Sequence, residues 1–312
     1  MRLWIVVVVS LLVAAGCAAP LSPADRPAQG DRPSKADRST GTDRRHPGAG
    51  PGEAGAGWSS RPGGPLPVPP PVRRTDCRRV KCVALTFDDG PGPYTRPLLD
   101  VLARHRARAT FFVLGRRVAG DGTGTVRRMV ADGHELGNHS WDHPILSDLP
   151  KPGIRRQLRR TQLAVEHATG VRMALVRPPY GATGHRVAAE SRRQGLAQVL
   201  WNVDTLDWRD RRASAVVRRA TGIRPGAVVL LHDIHPSTVW AVPRLLRRLT
   251  TRGYTFVTLS EMYGGGRLRP GRRYYDAAGR WRGDGGRPKP VARWGHELQR
   301  FPRRGVPLLR GS

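Results

Sequence analysis

The chain has 312 residues, of which 38% are hydrophobic and 6% aromatic, with 37 Gly and 28 Pro. That is enough apolar side chain for a large core. It excludes a collagen-like chain and a wholly disordered one, and points to an ordered domain with loose flanks. Charge is lopsided: 54 Lys+Arg against 24 Asp+Glu give +30. Such a balance attracts polyanions, whether nucleic acid, anionic lipid or acidic wall polymers. All but four of these cations are arginine, spread along the whole chain. No stacked-aromatic or groove-reading pattern accompanies them, so no specific nucleic-acid role is expected.

Met1-Arg2 precedes an uncharged apolar run, Leu3 through Ala15. The run is shorter than the roughly 20 residues of a membrane-spanning helix and reads as a secretory signal. It ends Val13-Ala14-Ala15-Gly16-Cys17, similar to a bacterial lipobox whose Cys becomes lipidated, with Ala14 where Leu is usual. The alternative is an ordinary signal cleaved near Ala19. Residues 1–17 are therefore expected to be a lipoprotein-type signal. The protein is expected at the outer face of the cytoplasmic membrane, held by lipid on Cys17, or secreted to the cell wall. In an oxidising compartment Cys77 and Cys82 either close a short loop or leave Cys82 free on a strand.

Residues 18–79 carry almost no large apolar side chain and read as a disordered tether, stiffened by Pro-rich 65–71. From Val80 the character changes. Val83–Phe87 is a predicted strand closed by the turn Asp88-Asp89-Gly90-Pro91. Thr95–His105 is a helix, Ala109–Leu114 a strand, Gly124–Ala131 a helix, and His134–His139 a strand running into a loop. Ile154–Thr169 is a helix with Leu158, Leu163, Val165 and Ala168 inward, ended by Gly170. Ala174–Arg177 is a strand, Thr183–Arg193 a helix, Ala197–Val203 a strand and Ala213–Ala220 a helix. Ala227–His232, Val239–Arg252 and Thr255–Leu259 follow as strand, helix and strand. Past Met262 the pattern stops. Residues 264–312 hold 13 Arg or Lys against 3 acids and read as a solvated basic tail.

Alternating strands and helices argue for parallel β/α units, a barrel or a doubly wound sheet. Chemistry in such folds gathers at the carboxyl ends of strands. Asp88, His139, Arg177, Asp207 and His232 each follow a predicted strand. His139 and His143, four apart, would share one face of a helical turn, as metal ligands do. Asp88 and Asp89 are adjacent carboxylates, which repel unless a cation or a division of labour separates them. Two His and one Asp with an open position suit a hydrolytic site for zinc.

Five segments in order carry a specific likeness: Thr86-Phe87-Asp88-Asp89-Gly90-Pro91, His139-Ser140-Trp141-Asp142-His143, Arg177-Pro178-Pro179-Tyr180-Gly181, Asp204-Thr205-Leu206-Asp207-Trp208 and Leu230-Leu231-His232-Asp233. Together they resemble the polysaccharide deacetylases, carbohydrate esterase family 4 or NodB-like, across residues 80–263. The resemblance implies an α/β fold, a distorted (β/α) barrel. It implies Asp89, His139 and His143 as ligands of a divalent metal, zinc first, with cobalt, nickel or manganese as alternatives. It implies Asp88 as general base fixed by Arg177, and His232 as general acid oriented by Asp207. The Tyr180 N–H would bind the oxyanion, while Trp208 and Leu230 line the acetyl pocket. The implied reaction removes N-acetyl groups from a cell-wall polysaccharide, N-acetylglucosamine of peptidoglycan first, by a chain expected to be monomeric. A chitin-oligomer deacetylase, an acetylxylan esterase and an inactive basic wall-binding lipoprotein are the alternatives.

Overall fold

The structure, a computed structural model, describes residues 66–71, 73–265 and 268–277. The expected signal, most of the tether and the tail beyond residue 277 lie outside the described residues. The elements in chain order are β1 (Lys81–Asp88), α1 (Thr95–Arg104), β2 (Thr110–Val113), α2 (Gly115–Arg117), α3 (Thr123–Ala131), β3 (Glu135–Asn138), α4 (Lys151–Thr169) and β4 (Leu175–Val176). Then come α5 (His185–Arg193), β5 (Ala197–Val199), β6 (Val203–Asp204), α6 (Asp207–Asp210), α7 (Ala213–Thr221), β7 (Ala227–His232), α8 (Pro236–Thr251), β8 (Tyr254–Phe256), α9 (Leu259–Met262) and β9 (Arg273–Tyr274).

The strands form one parallel sheet in the order β6-β7-β1-β2-β3-β4-β5-β9, with β8 pairing the first residues of β1. Ala277 N–H donates to Gly226 O (3.0 Å), just before β7, and Asn202 Nδ2 donates to Asp276 Oδ2 (3.1 Å). The sheet thus curls round, yet no strand pair joins β9 to β6 among the described residues. The result is a curled, incompletely closed barrel of parallel strands, in line with the distorted (β/α) barrel that the resemblance implies. No helix among the described residues is long and apolar enough to cross a membrane.

Strand alternation explains where the polar groups go. Val83, Leu85 and Phe87 of β1 join Phe111, Val113, Val229 and Leu231 in the core beneath α1, α3 and α8. Cys82 and Ala84 point the other way, into an inner cluster with Phe112, Val199 and Val228. Thr86 and Asp88 continue that inner face towards the carboxyl end. The β1–β7 register sets Thr86 beside Leu230 and Asp88 beside His232. Helices are written by apolar spacing: α1 buries Leu98, Leu99, Val101 and Leu102. Helix α4 starts on Pro150, with Pro152 in its first turn, and stops at Gly170, whose φ of 72° suits glycine.

Several expectations need correction. Leu163 is 52% exposed, because α4 turns Ile154, Leu158, Thr161, Gln162, Val165 and Ala168 inward instead. The single strand expected at Ala197–Val203 is two, β5 and β6, with different neighbours. The last strand ends at Phe256, and Leu259 opens α9 behind a Thr258–Glu261 capping box. Two segments outside the expected 80–263 boundaries carry domain contacts. Cys77 is disulfide-bonded to Cys82 and buried in the inner cluster. Residues 268–277 supply β9 and the buried Leu268 and Ala277.

Candidate active site

Asp88 closes β1, and the chain then turns through Asp89 at φ 74°. His139 and His143 do not lie on a helical turn. They sit in a loop with Ser140 at φ 71° and His143 at φ 68°. That loop is held by its own polar side chains. Asn138 Oδ1 accepts from Ser140 N–H (2.9 Å), and Ser140 Oγ accepts from His143 N–H (3.1 Å). Gln157 of α4 accepts from Trp141 N–H (2.8 Å) and donates to Asp142 Oδ1 (2.7 Å). The imidazole rings end up 5.0 Å apart, edge to face.

Both Nε2 atoms converge on Asp89 Oδ1, at 3.4 Å from His139 and 3.3 Å from His143. These contacts are longer than good hydrogen bonds, and Asp89 Oδ1 is a buried oxygen with no hydrogen-bond partner. One ligand atom from each residue lies within 4.8 Å of the others. His139 Nδ1 donates to Arg177 O (2.7 Å), which fixes the ring with Nε2 turned towards Asp89. Burial and the neighbouring His139 lower His143 to about 4, so its imidazole is neutral. Burial raises the Asp89 carboxyl, but His139, His143 and His232 together hold it well below the usual range. Two imidazoles and an ionised carboxylate converging on an unsatisfied oxygen fit a divalent cation.

Asp88 stands beside this cluster, its Oδ2 3.7 Å from His139 Nε2. Its other oxygen is fixed: Arg177 Nη1 donates to Asp88 Oδ1 (2.8 Å) and to Thr86 Oγ1 (2.7 Å). The Arg177 guanidinium is fully buried, donates also to Val199 O (2.9 Å) and Leu200 O (2.8 Å), and lies over the Phe112 ring. A charge this deep is tolerable because each of its nitrogens has a partner.

Across the β1–β7 pair, His232 Nδ1 donates to Asp207 Oδ1 (2.9 Å). Asp207 Oδ2 accepts from His232 N–H (2.8 Å) and Thr238 Oγ1 (2.7 Å). Burial pushes His232 down, but Asp207, then Asp89 and Asp88, outweigh it and raise the ring to about 9. Tyr180 follows Pro178-Pro179 at φ 60°, its ring 4.6 Å from that of His143. Trp208 is half-buried in α6, which follows β6, and Leu230 is buried two residues before the carboxyl end of β7. Seven non-glycine residues have positive φ among the described residues. All but Arg106 and Arg211, which follow α1 and α6, fall in the loops after β1, β3, β4 and β6, where strain is expected at a working site.

A family description, polysaccharide deacetylase, matches residues 75–199. A chitooligosaccharide deacetylase of Bradyrhizobium sp. is 39% identical over 214 residues, which cover 62% of this chain and 96% of that protein. This chain belongs to the polysaccharide deacetylase family. The peptidoglycan-N-acetylglucosamine deacetylase PgdA of Listeria monocytogenes is 44% identical over 198 residues, 63% of this chain. The match spans 41% of that longer relative. A solved structure described as T48 deacetylase with substrate is 44% identical, with a TM-score of 0.61, and covers 64% of this chain and 99% of that one.

Sequence reasoning missed several groups in this polysaccharide deacetylase. Thr86 bridges Arg177 and Val229 O, and its signal was strand period: it lies two residues before Asp88. Thr238 reaches Asp207 from the first turn of α8, a contact with no sequence signal. Asp233 is buried with its Oδ2 accepting from Thr95 Oγ1 (2.5 Å), and burial pushes its carboxyl up to about 7. A Cβ on Gly90 would meet Asp233 Oδ2 at 2.2 Å, so only glycine lets the two turns approach.

Proposed function

We propose that this chain hydrolyses the acetamido groups of a cell-wall amino-sugar polymer, N-acetylglucosamine of peptidoglycan first, releasing acetate and leaving a free amine. One observation carries the reading: Asp89, His139 and His143 converge on one point with Asp88 beside them. Those three residues would hold a divalent cation, zinc by the borderline character of the donors, which would supply Lewis acidity towards the acetyl carbonyl and water.

The chain's own groups divide the remaining work. Asp88 takes a proton from the attacking water through Oδ2, since Oδ1 is engaged by Arg177. The Tyr180 backbone N–H donates to the oxygen that gains negative charge. As the water oxygen bonds to the carbonyl carbon and the C–N bond breaks, His232 Nε2 gives its proton to the departing nitrogen. Asp207 keeps the ring oriented through Nδ1. Trp208 and Leu230 line the space for the acetyl methyl. The Listeria relative supports peptidoglycan as substrate. The Bradyrhizobium relative, matched over nearly its whole length, favours chitin oligomers as the second reading. We place the enzyme outside the cytoplasmic membrane, exported by residues 1–17.

Acetate release from peptidoglycan, chitin oligomers and acetylxylan tests this. Fastest release from peptidoglycan is expected, and fastest release from chitin oligomers moves the assignment to the second reading. Release from acetylxylan alone, or none with zinc supplied, overturns it.

A further inference from the structure

Arg211 follows α6 directly and adopts φ 50°. Its Nε donates to Trp208 O (2.9 Å) and its Nη1 to His235 Nδ1 (2.7 Å). A guanidinium only donates, so His235 Nδ1 must be bare and that imidazole neutral. Burial and the Arg211 charge also lower His235 to about 4. His235 is buried, and its ring centroid lies 5.7 Å from that of His232. Arg211 itself is exposed and forms no ion pair among the described residues. The acids nearby are engaged: Asp210 pairs with Arg209 and Arg219, and Asp207 holds His232 and Thr238. An arginine gripped at two nitrogens by a site residue and a buried ring, with its other N–H groups open, is preorganised to receive an anion.

We propose that Arg211, presented by Trp208 O and His235, is a specificity-determining residue that binds a carboxylate on a sugar of the glycan strand beside the one being deacetylated. This rests on the peptidoglycan reading above and narrows it to strands freed of their stem peptides, whose alternate sugars carry a free lactyl carboxylate, whereas chitin carries none. A planar carboxylate matches the two-pronged edge of guanidinium.

The test compares two tetrasaccharides: peptide-free peptidoglycan fragment, which carries lactyl carboxylates, and neutral chitotetraose. Dissociation constants by calorimetry and kcat/KM by acetate release are measured for the zinc-loaded full chain, Arg211→Ala and Arg211→Lys. The readout is the acidic-over-neutral preference within each protein, which a general loss of activity or folding does not move. We expect a wild-type preference that falls about tenfold in Arg211→Ala, is partly kept in Arg211→Lys, and shrinks with added salt. A preference that is absent in wild type, or unchanged in Arg211→Ala, overturns the proposal. The two readings fail separately. An Arg211-dependent binding preference without turnover sinks the deacetylase assignment alone, and turnover of both glycans with no such preference sinks the subsite alone.

Discussion

Arg177 Nη1 lies 2.8 Å from Asp88 Oδ1, although the residues are 89 apart in sequence, and neither side chain sees appreciable solvent. The contact joins the end of β1 to the residue after β4, and it leaves one Asp88 oxygen facing Asp89 and the imidazoles. Replacing Arg177 by Met strips the partner from a buried carboxylate and from the Val199 and Leu200 carbonyls. We expect a stability loss of about 3–5 kcal/mol in urea unfolding. A loss below about 1 kcal/mol contradicts the pairing.

Asp88→Asn keeps shape and an acceptor for Arg177 while removing the proposed base. Turnover should drop about 10²–10⁴-fold, with the unfolding midpoint and bound zinc little changed. Undiminished acetate release assigns proton abstraction to another group.

The His232–Asp207 pair fixes the sign of a pH effect. As the proposed general acid, His232 must carry a proton, and its raised pKa of about 9 keeps it charged at neutral pH. The rate therefore falls as pH rises through that value. Asp207→Asn removes the leading raising influence while burial continues to push the ring down. The basic limb of the kcat profile should then move to lower pH. A limb that stays put, or moves up, removes Asp207 from this role.

Much of the site was legible because each motif ends a strand, and parallel β/α folds gather strand ends on one rim. Asp88 and His232 lie in register for that reason. The His139–His143 loop was not legible as a loop. Spacing of four suggests a helix, and only the turn made by Asn138, Ser140 and Gln157 overrides it. Two-residue strands such as β6 and β9 carry no periodicity, so the division of Ala197–Val203 and the placement of 273–274 were hidden. On α4, polar Gln162 faces inward because its amide donates to Met173 O (3.0 Å), and Leu163 is displaced to solvent. No apolar pattern announces such an exchange.

The convergence of Asp89, His139 and His143 bears the most weight, and metal content measured alongside acetate release tests it most directly. Chelator-stripped protein is reloaded with zinc, then analysed for bound metal and for activity on peptidoglycan, beside Asp89→Ala and His139→Ala. The account predicts about one zinc per wild-type chain, restored activity, and loss of both in each variant. Wild-type protein that stays metal-free in excess zinc yet releases acetate at an undiminished rate would contradict it.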